Sequence, residues 1–179
     1  MRGCPHIRVA SPPPSPTSYA PTPRTVYQRP RTRRIRPLAI CVFHRSGRIL
    51  VQESHDPIER RTFFRPLGGG IEFGETSAGA VEREVREEIG ADVARLLLLG
   101  TLENVFTYLG EPGHEIVQVY DGEFVDPSLY DRSSIPGRES DGQPFVAVWY
   151  DLDAFSAEKP LVPKGLLGLL VEMRDGCWA

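Results

Sequence analysis

Apolar residues show no periodicity through the first 36 positions, and the pattern begins near Pro37. Leu38 to Phe43 is a short apolar run that predicts a buried strand, Ser46-Gly47 a turn, and Arg48 to Gln52 the returning strand. Ser54 to Arg61 carries mixed charge and is expected to be a loop, followed by an extended stretch from Phe63 to Leu67 that runs into Gly68-Gly69-Gly70. Apolar positions recur at helical spacing between Thr76 and Ile89, and Gly90 is placed to end that helix. Leu97 to Tyr108 and Glu115 to Val125 are expected to be two long paired strands, with their turn at Glu111-Pro112-Gly113. Residues 126–142 are polar, contain Pro127, Pro136 and Gly137, and predict a long functional loop. Phe145 to Leu152 is a further strand, and Pro163 is expected in the first turn of a closing helix with a stripe of Leu166, Leu169, Leu170 and Met173. Strands on both sides of a central helix, with a second helix at the end, predict an α/β sandwich.

Composition narrows this picture. A chain of 179 residues with 40% apolar and 25% charged residues fits one globular domain with an appendage. No apolar run approaches the 18 residues of a membrane span. Cys4, Cys41 and Cys177 are too few and too scattered for a disulfide framework or a zinc cage, which suits a reducing cytoplasm.

Charge divides the chain in two. Residues 1–36 hold eight arginines, eight prolines and no acid, so this segment is expected to be disordered, with the folded domain spanning 37–179. Its composition fits a targeting presequence, a basic arm that touches phosphates, or a non-functional extension ahead of the true start, for which Val26 is one candidate; the last is preferred. The remaining residues carry 13 basic side chains against 24 acidic ones, a balance of -11. Such a body disfavours nucleic acid or a membrane surface as partner. An acidic protein that handles anions needs metal ions between itself and them.

One helix face carries that idea further. At about 100° per residue, Glu84, Glu87 and Glu88 fall on one face, while Ala78, Val81, Val85 and Ile89 form the adjoining stripe for the core. Glu82 and Arg86 lie on the far side and are expected to pair as an i,i+4 couple. Three carboxylates at this spacing repel, and without a counter-charge at least one is expected to take up a proton. Hard divalent cations such as Mg²⁺ resolve the conflict through oxygen ligands. The glycines at 68–70 and Gly74 leave room for a phosphate or metal against the main chain. Gly79 inside the helix has no explanation from sequence.

The stretch from Gly69 to Ala91 resembles the Nudix box: glycine, five residues, glutamate, seven residues, then Arg-Glu-aliphatic-x-Glu-Glu-x-Gly-aliphatic. Gly69, Glu75, Arg83, Glu84, Val85, Glu87, Glu88 and Gly90 all match, and Ala91 alone is smaller than usual. Seven fixed identities coincide by chance about once in 10^8 windows. The resemblance implies a Nudix-type α/β/α sandwich with a mixed central sheet, and Mg²⁺- or Mn²⁺-dependent hydrolysis of a nucleoside diphosphate linked to another moiety. Glu84, Glu87, Glu88 and the main-chain carbonyl of Gly68 are the implied metal ligands, and Arg83 is expected to orient Glu84 and Glu75 while also pairing with Glu87.

The proton acceptor for the attacking water is left open between Glu84, Glu139 just ahead of the last strand, and Glu115. His114 is a substrate contact or a turn cap, and Trp149, Tyr120, Phe106 and Tyr108 are assigned to packing ahead of base stacking. The implied partner is a small-molecule nucleotide, with a slight lean to triphosphates over nucleotide sugars or dinucleoside polyphosphates; nucleic acid and membrane are not implied, and a homodimer is allowed. A non-catalytic nucleotide-sensing module is the principal rival, disfavoured by an intact set of carboxylates. An RNA-end hydrolase with the basic arm as clamp is disfavoured by the acidic body.

Overall fold

The computed structural model describes residues 33–176, so nearly all of the Pro/Arg-rich extension lies outside the described residues. The chain forms β1 (Arg36–Val42), β2 (His44–Arg45), β3 (Arg48–Asp56), β4 (Arg61–Arg65), β5 (Leu67–Gly70) and α1 (Ser77–Ile89). It continues with β6 (Val93–Tyr108), β7 (Glu111–Phe124), a short 3-10 turn (Pro127–Asp131), β8 (Ser134–Arg138), β9 (Pro144–Asp151) and α2 (Leu166–Gly176).

Two sheets lie between the helices. The first is mixed, in the order β5-β1-β7-β6, with β1 parallel to β7 and the other neighbours antiparallel. The second is antiparallel, in the order β2-β3-β9-β8, with β4 also pairing with β3.

Strand alternation explains the layers. In β1, Ala39 and Cys41 turn to one side and Ile40 and Val42 to the other, so a strand buried on both faces reads as a continuous apolar run. The first side, with Leu50, Val119's neighbour Tyr120 and Ala147, packs against Ala80, Val81 and Val85 of α1. The second, with Ile49, Val51, Val117 and Val119, packs against Leu166 and Leu170 of α2. The result is the α/β/α sandwich that the sequence predicts.

Helix α1 has the expected ends. The Thr76 hydroxyl caps it by accepting from the Gly79 amide at 3.1 Å, a contact of the kind worth about 1 kcal/mol. Gly90 closes it at φ 69°. A Cβ on Gly79 would stand 3.2 Å from the capping hydroxyl, which gives this first-turn glycine a packing reason. On the outer face Arg86 does not pair with Glu82; it holds Asp92 through two bonds of 2.9 and 2.7 Å beyond the helix end.

Several connections differ from expectation. The mixed-charge segment after Gln52 is strand as far as Asp56, and a tight hairpin leads into β4. The β6–β7 turn falls at Leu109-Gly110, whose positive φ values of 53° and 75° suit a two-residue hairpin. Gly113 lies within the ladder opposite Phe106, whose ring occupies the space a Cβ would need. Most of residues 126–142 are ordered secondary structure. Pro136 is tolerated because β8 is an edge strand, and Gly137 makes room for the Phe145 ring across the ladder. Pro163 precedes α2 instead of opening it, accepting from the Leu166 amide at 3.0 Å.

Candidate active site

Pro66 is the point where the chain leaves the second sheet and joins the first. The glycines that follow are thereby laid along β1, with Gly69 opposite Ala39 and Gly68 opposite Ile40. Gly68 has φ 128°, and a Cβ there would overlap the Ala39 carbonyl oxygen. Its amide donates to Glu88 Oε2 at 3.0 Å. A Cβ on Gly69 would meet both oxygens of Glu84, the nearer at 2.5 Å. These glycines therefore let the loop backbone close over two carboxylates of α1.

Arg83 is the hub of the arrangement. Its Nε and Nη2 hold both oxygens of Glu75 at 2.9 and 3.0 Å, Nη1 holds Glu84 at 3.0 Å and Glu87 at 3.2 Å, and Nη2 also donates to the Gly70 carbonyl at 2.8 Å. The hydrogen bonds to Arg83, with one from the Glu72 amide, hold the Glu75 carboxyl below its ordinary range. Glu75, Arg83, Glu84 and Glu87 are thus brought together as the sequence pattern suggested.

Glu88 differs from its neighbours. It is almost fully buried, and burial pushes its pKa up to about 8; the Gly68 amide and Arg65 favour the charged form, while Glu139 and Glu84 oppose it. The ordinary value is 4.5, so between pH 4.5 and 8 the unfolded chain releases a proton that the folded protein keeps. Stability then falls as pH rises through that window and levels off above it. In metal-free protein the melting temperature is expected to drop from pH 5 to pH 8. Glu88→Gln should flatten that profile and add on the order of 2–4 kcal/mol at pH 8, read by chemical denaturation.

The two more distant carboxylates separate. Glu139 follows β8 in a loop closed by its amide donating to the Gln143 carbonyl at 2.9 Å, and it reaches back over the second sheet towards Glu88. Arg65 and Gln52 both bind its Oε1. Neither was singled out in the sequence, although Gln52 interrupts the apolar run of its strand. Glu115 shares strand parity with Val117, so it lies on the α2 side of the first sheet, opposite α1; there it binds Arg36 and accepts from Asn104 at 3.2 Å.

His114 is a ladder residue bonded to Glu103 at 2.8 Å, and so caps no turn. Trp149 and Tyr120 pack with the α1 core, Phe106 covers Gly113, and Tyr108 packs edge-on against Phe63.

Among the described residues, no three acidic, His or Cys side chains already form a metal cage. Glu84 and Glu87 turn to Arg83, and Glu88 turns to the Gly68 amide. The donors nevertheless fit a hard divalent cation: all are carboxylate or carbonyl oxygens, Glu88 feels Glu84 as a like charge on top of its burial, and the space beside Glu84 is kept open by Gly69.

A family model described as the NUDIX domain matches residues 32–166. This chain belongs to the Nudix family and is a Nudix hydrolase, a pyrophosphohydrolase of the kind that acts on small-molecule nucleotides and generally uses a divalent metal. Its fold matches the solution structure of the E. coli ORF135 protein at a TM-score of 0.57 and 18% identity, covering 82% of this chain and 96% of that one. It also matches a NUDIX hydrolase from Nitrosomonas europaea at 0.56 and 21%, covering 80% and 90%. Among the described residues no helix is long and apolar enough to cross a membrane.

Proposed function

We propose that this protein is a Mg²⁺- or Mn²⁺-dependent pyrophosphohydrolase that cleaves the diphosphate bridge of a nucleoside diphosphate linked to another moiety, with nucleoside triphosphates as the first class to test. The observation that carries this reading is the face of α1, where Glu84 and Glu88 meet the glycine loop and Glu84 and Glu87 share Arg83. One arginine offsets three carboxylates here, and a cation that arrives with the ligand balances the charge that remains. Glu84, Glu87, Glu88 and the Gly68 carbonyl would hold the ion, which when bound neutralises phosphate charge and lowers the pKa of the attacking water.

The chain's own groups have distinct tasks. Arg83 fixes Glu84 against the loop and ties Glu75 to it, so the carboxylates keep their geometry when substrate binds. Gly68 lets the loop lie close against β1, and Gly69 leaves room for the Glu84 carboxylate beside the main chain. Glu139 accepts the proton of the attacking water, and its place beside Glu88 supports this choice over Glu115, which faces α2.

A screen of Mg²⁺-dependent phosphate release over a nucleotide panel tests the proposal, with Glu87→Gln as the blank. One class of nucleotide is expected to be turned over by the wild type and spared by the variant. Equal release from both proteins would leave the sensing module as the better reading. Glu139→Gln and Glu115→Gln then assign the proton acceptor: only the first is expected to slow turnover by more than threefold.

A further inference from the structure

Alternation along β3 places Gln52 on the same side as Leu50, facing α1, and its ladder partner Ala147 belongs to that core. An apolar side chain would satisfy such a position. Gln52 is instead 4% exposed, with its amide nitrogen bound to Glu139 Oε1 and its amide oxygen buried without a partner. A buried acceptor without a protein partner is destabilising, and its presence calls for a reason outside stability. The amide has only one workable orientation here, because an ionised carboxylate accepts and never donates.

Arg65, directly opposite Gln52 in the ladder, binds the same oxygen of Glu139. Its side chain is more than a third exposed, so on its own it would hold the loop carboxylate loosely. Gln52 supplies the rigid half of the grip. Both donors take Oε1, and Oε2 makes no hydrogen bond among the described residues.

We infer that Gln52 is a positioning residue for the reaction: it anchors one oxygen of Glu139 from within the sheet and leaves the other aimed at the carboxylate face of α1 to receive the water's proton. This rests on the proposed role of Glu139. A neutral donor buried in a strand orients that carboxylate without adding charge to the site, which a second arginine would do.

A double-mutant cycle with Gln52→Leu and Glu139→Gln tests the role, using the nucleotide that the panel identifies. Gln52→Leu is expected to lower kcat about ten- to fiftyfold with KM within about threefold, and to melt no lower than wild type, since it removes the orphaned oxygen. In the Glu139→Gln background the same substitution should cost less than about twofold. The contact itself is read in metal-free protein by NMR: the Gln52 side-chain amide protons should move upfield in Glu139→Ala.

Turnover of Gln52→Leu within twofold of wild type would overturn the inference. So would an equal loss in both backgrounds, or amide signals that Glu139→Ala leaves in place. If the wild type and Glu87→Gln were equally inactive, the hydrolase reading would fail and the positioning role with it. A slow Glu139→Gln beside a fully active Gln52→Leu would sink this inference alone.

Discussion

Glu84→Gln is expected to reduce turnover about a thousandfold while shifting the melting temperature by no more than about 2 °C. Glu84 sits between Arg83 Nη1 and the Gly69 main chain, with only 12% of its side chain exposed. In the proposed mechanism its charge helps to hold the cation that balances the phosphates, and glutamine keeps the shape while removing that charge. The fold loses little, because Arg83 still has Glu75, Glu87 and the Gly70 carbonyl to hold. Steady-state kinetics beside a thermal melt reads both quantities. A large drop in melting temperature with modest loss of rate would show Glu84 to be a structural partner of Arg83 and little else.

The second large effect separates two adjacent glycines. In Gly68→Ala the new Cβ would overlap the Ala39 carbonyl oxygen and stand 2.8 Å from Ile40 Cα, at a φ of 128° that alanine rarely adopts. Relief would require β1 and β5 to part, so a loss of at least ~3 kcal/mol is expected by urea denaturation. In Gly69→Ala the obstacle is the Glu84 carboxylate at 2.5 Å, the end of a side chain that can swing aside. The fold should lose only about 1 kcal/mol while turnover falls about a hundredfold, because a misplaced ligand is costly to chemistry. Equal stability losses in the two variants would contradict this division of labour between backbone and carboxylate.

What could be seen in the sequence follows from how far each signal reaches along the chain. The α1 face, its caps and the glycine loop are set by neighbours within a dozen residues, so the pattern Gly69 to Ala91 carried them. Two of the misread connections share one cause. Gly113 and Gly137 look like turn residues, yet each lies in a ladder and gives space to an aromatic ring on the adjacent strand, Phe106 and Phe145. Gly137 also faces the Glu88 carbonyl oxygen at 2.9 Å from its would-be Cβ, which lets β8 lie close to α1. A glycine opened for a neighbouring strand and a glycine opened for a turn have the same letter, and only register tells them apart. The same limit applies to Glu115 and Glu139: strand parity sends one to the α2 side, and a hairpin loop brings the other back over β3. Gln52 and Arg65 drew no attention because their partner is 87 and 74 residues away.

Arg83 fastens the stretch between Gly70 and Glu75 to α1 with protein groups alone. With the proposed metal, chelation is therefore expected to remove activity without melting this loop. Reloading is expected to proceed as a simple exchange of counter-ions, with little refolding to slow it.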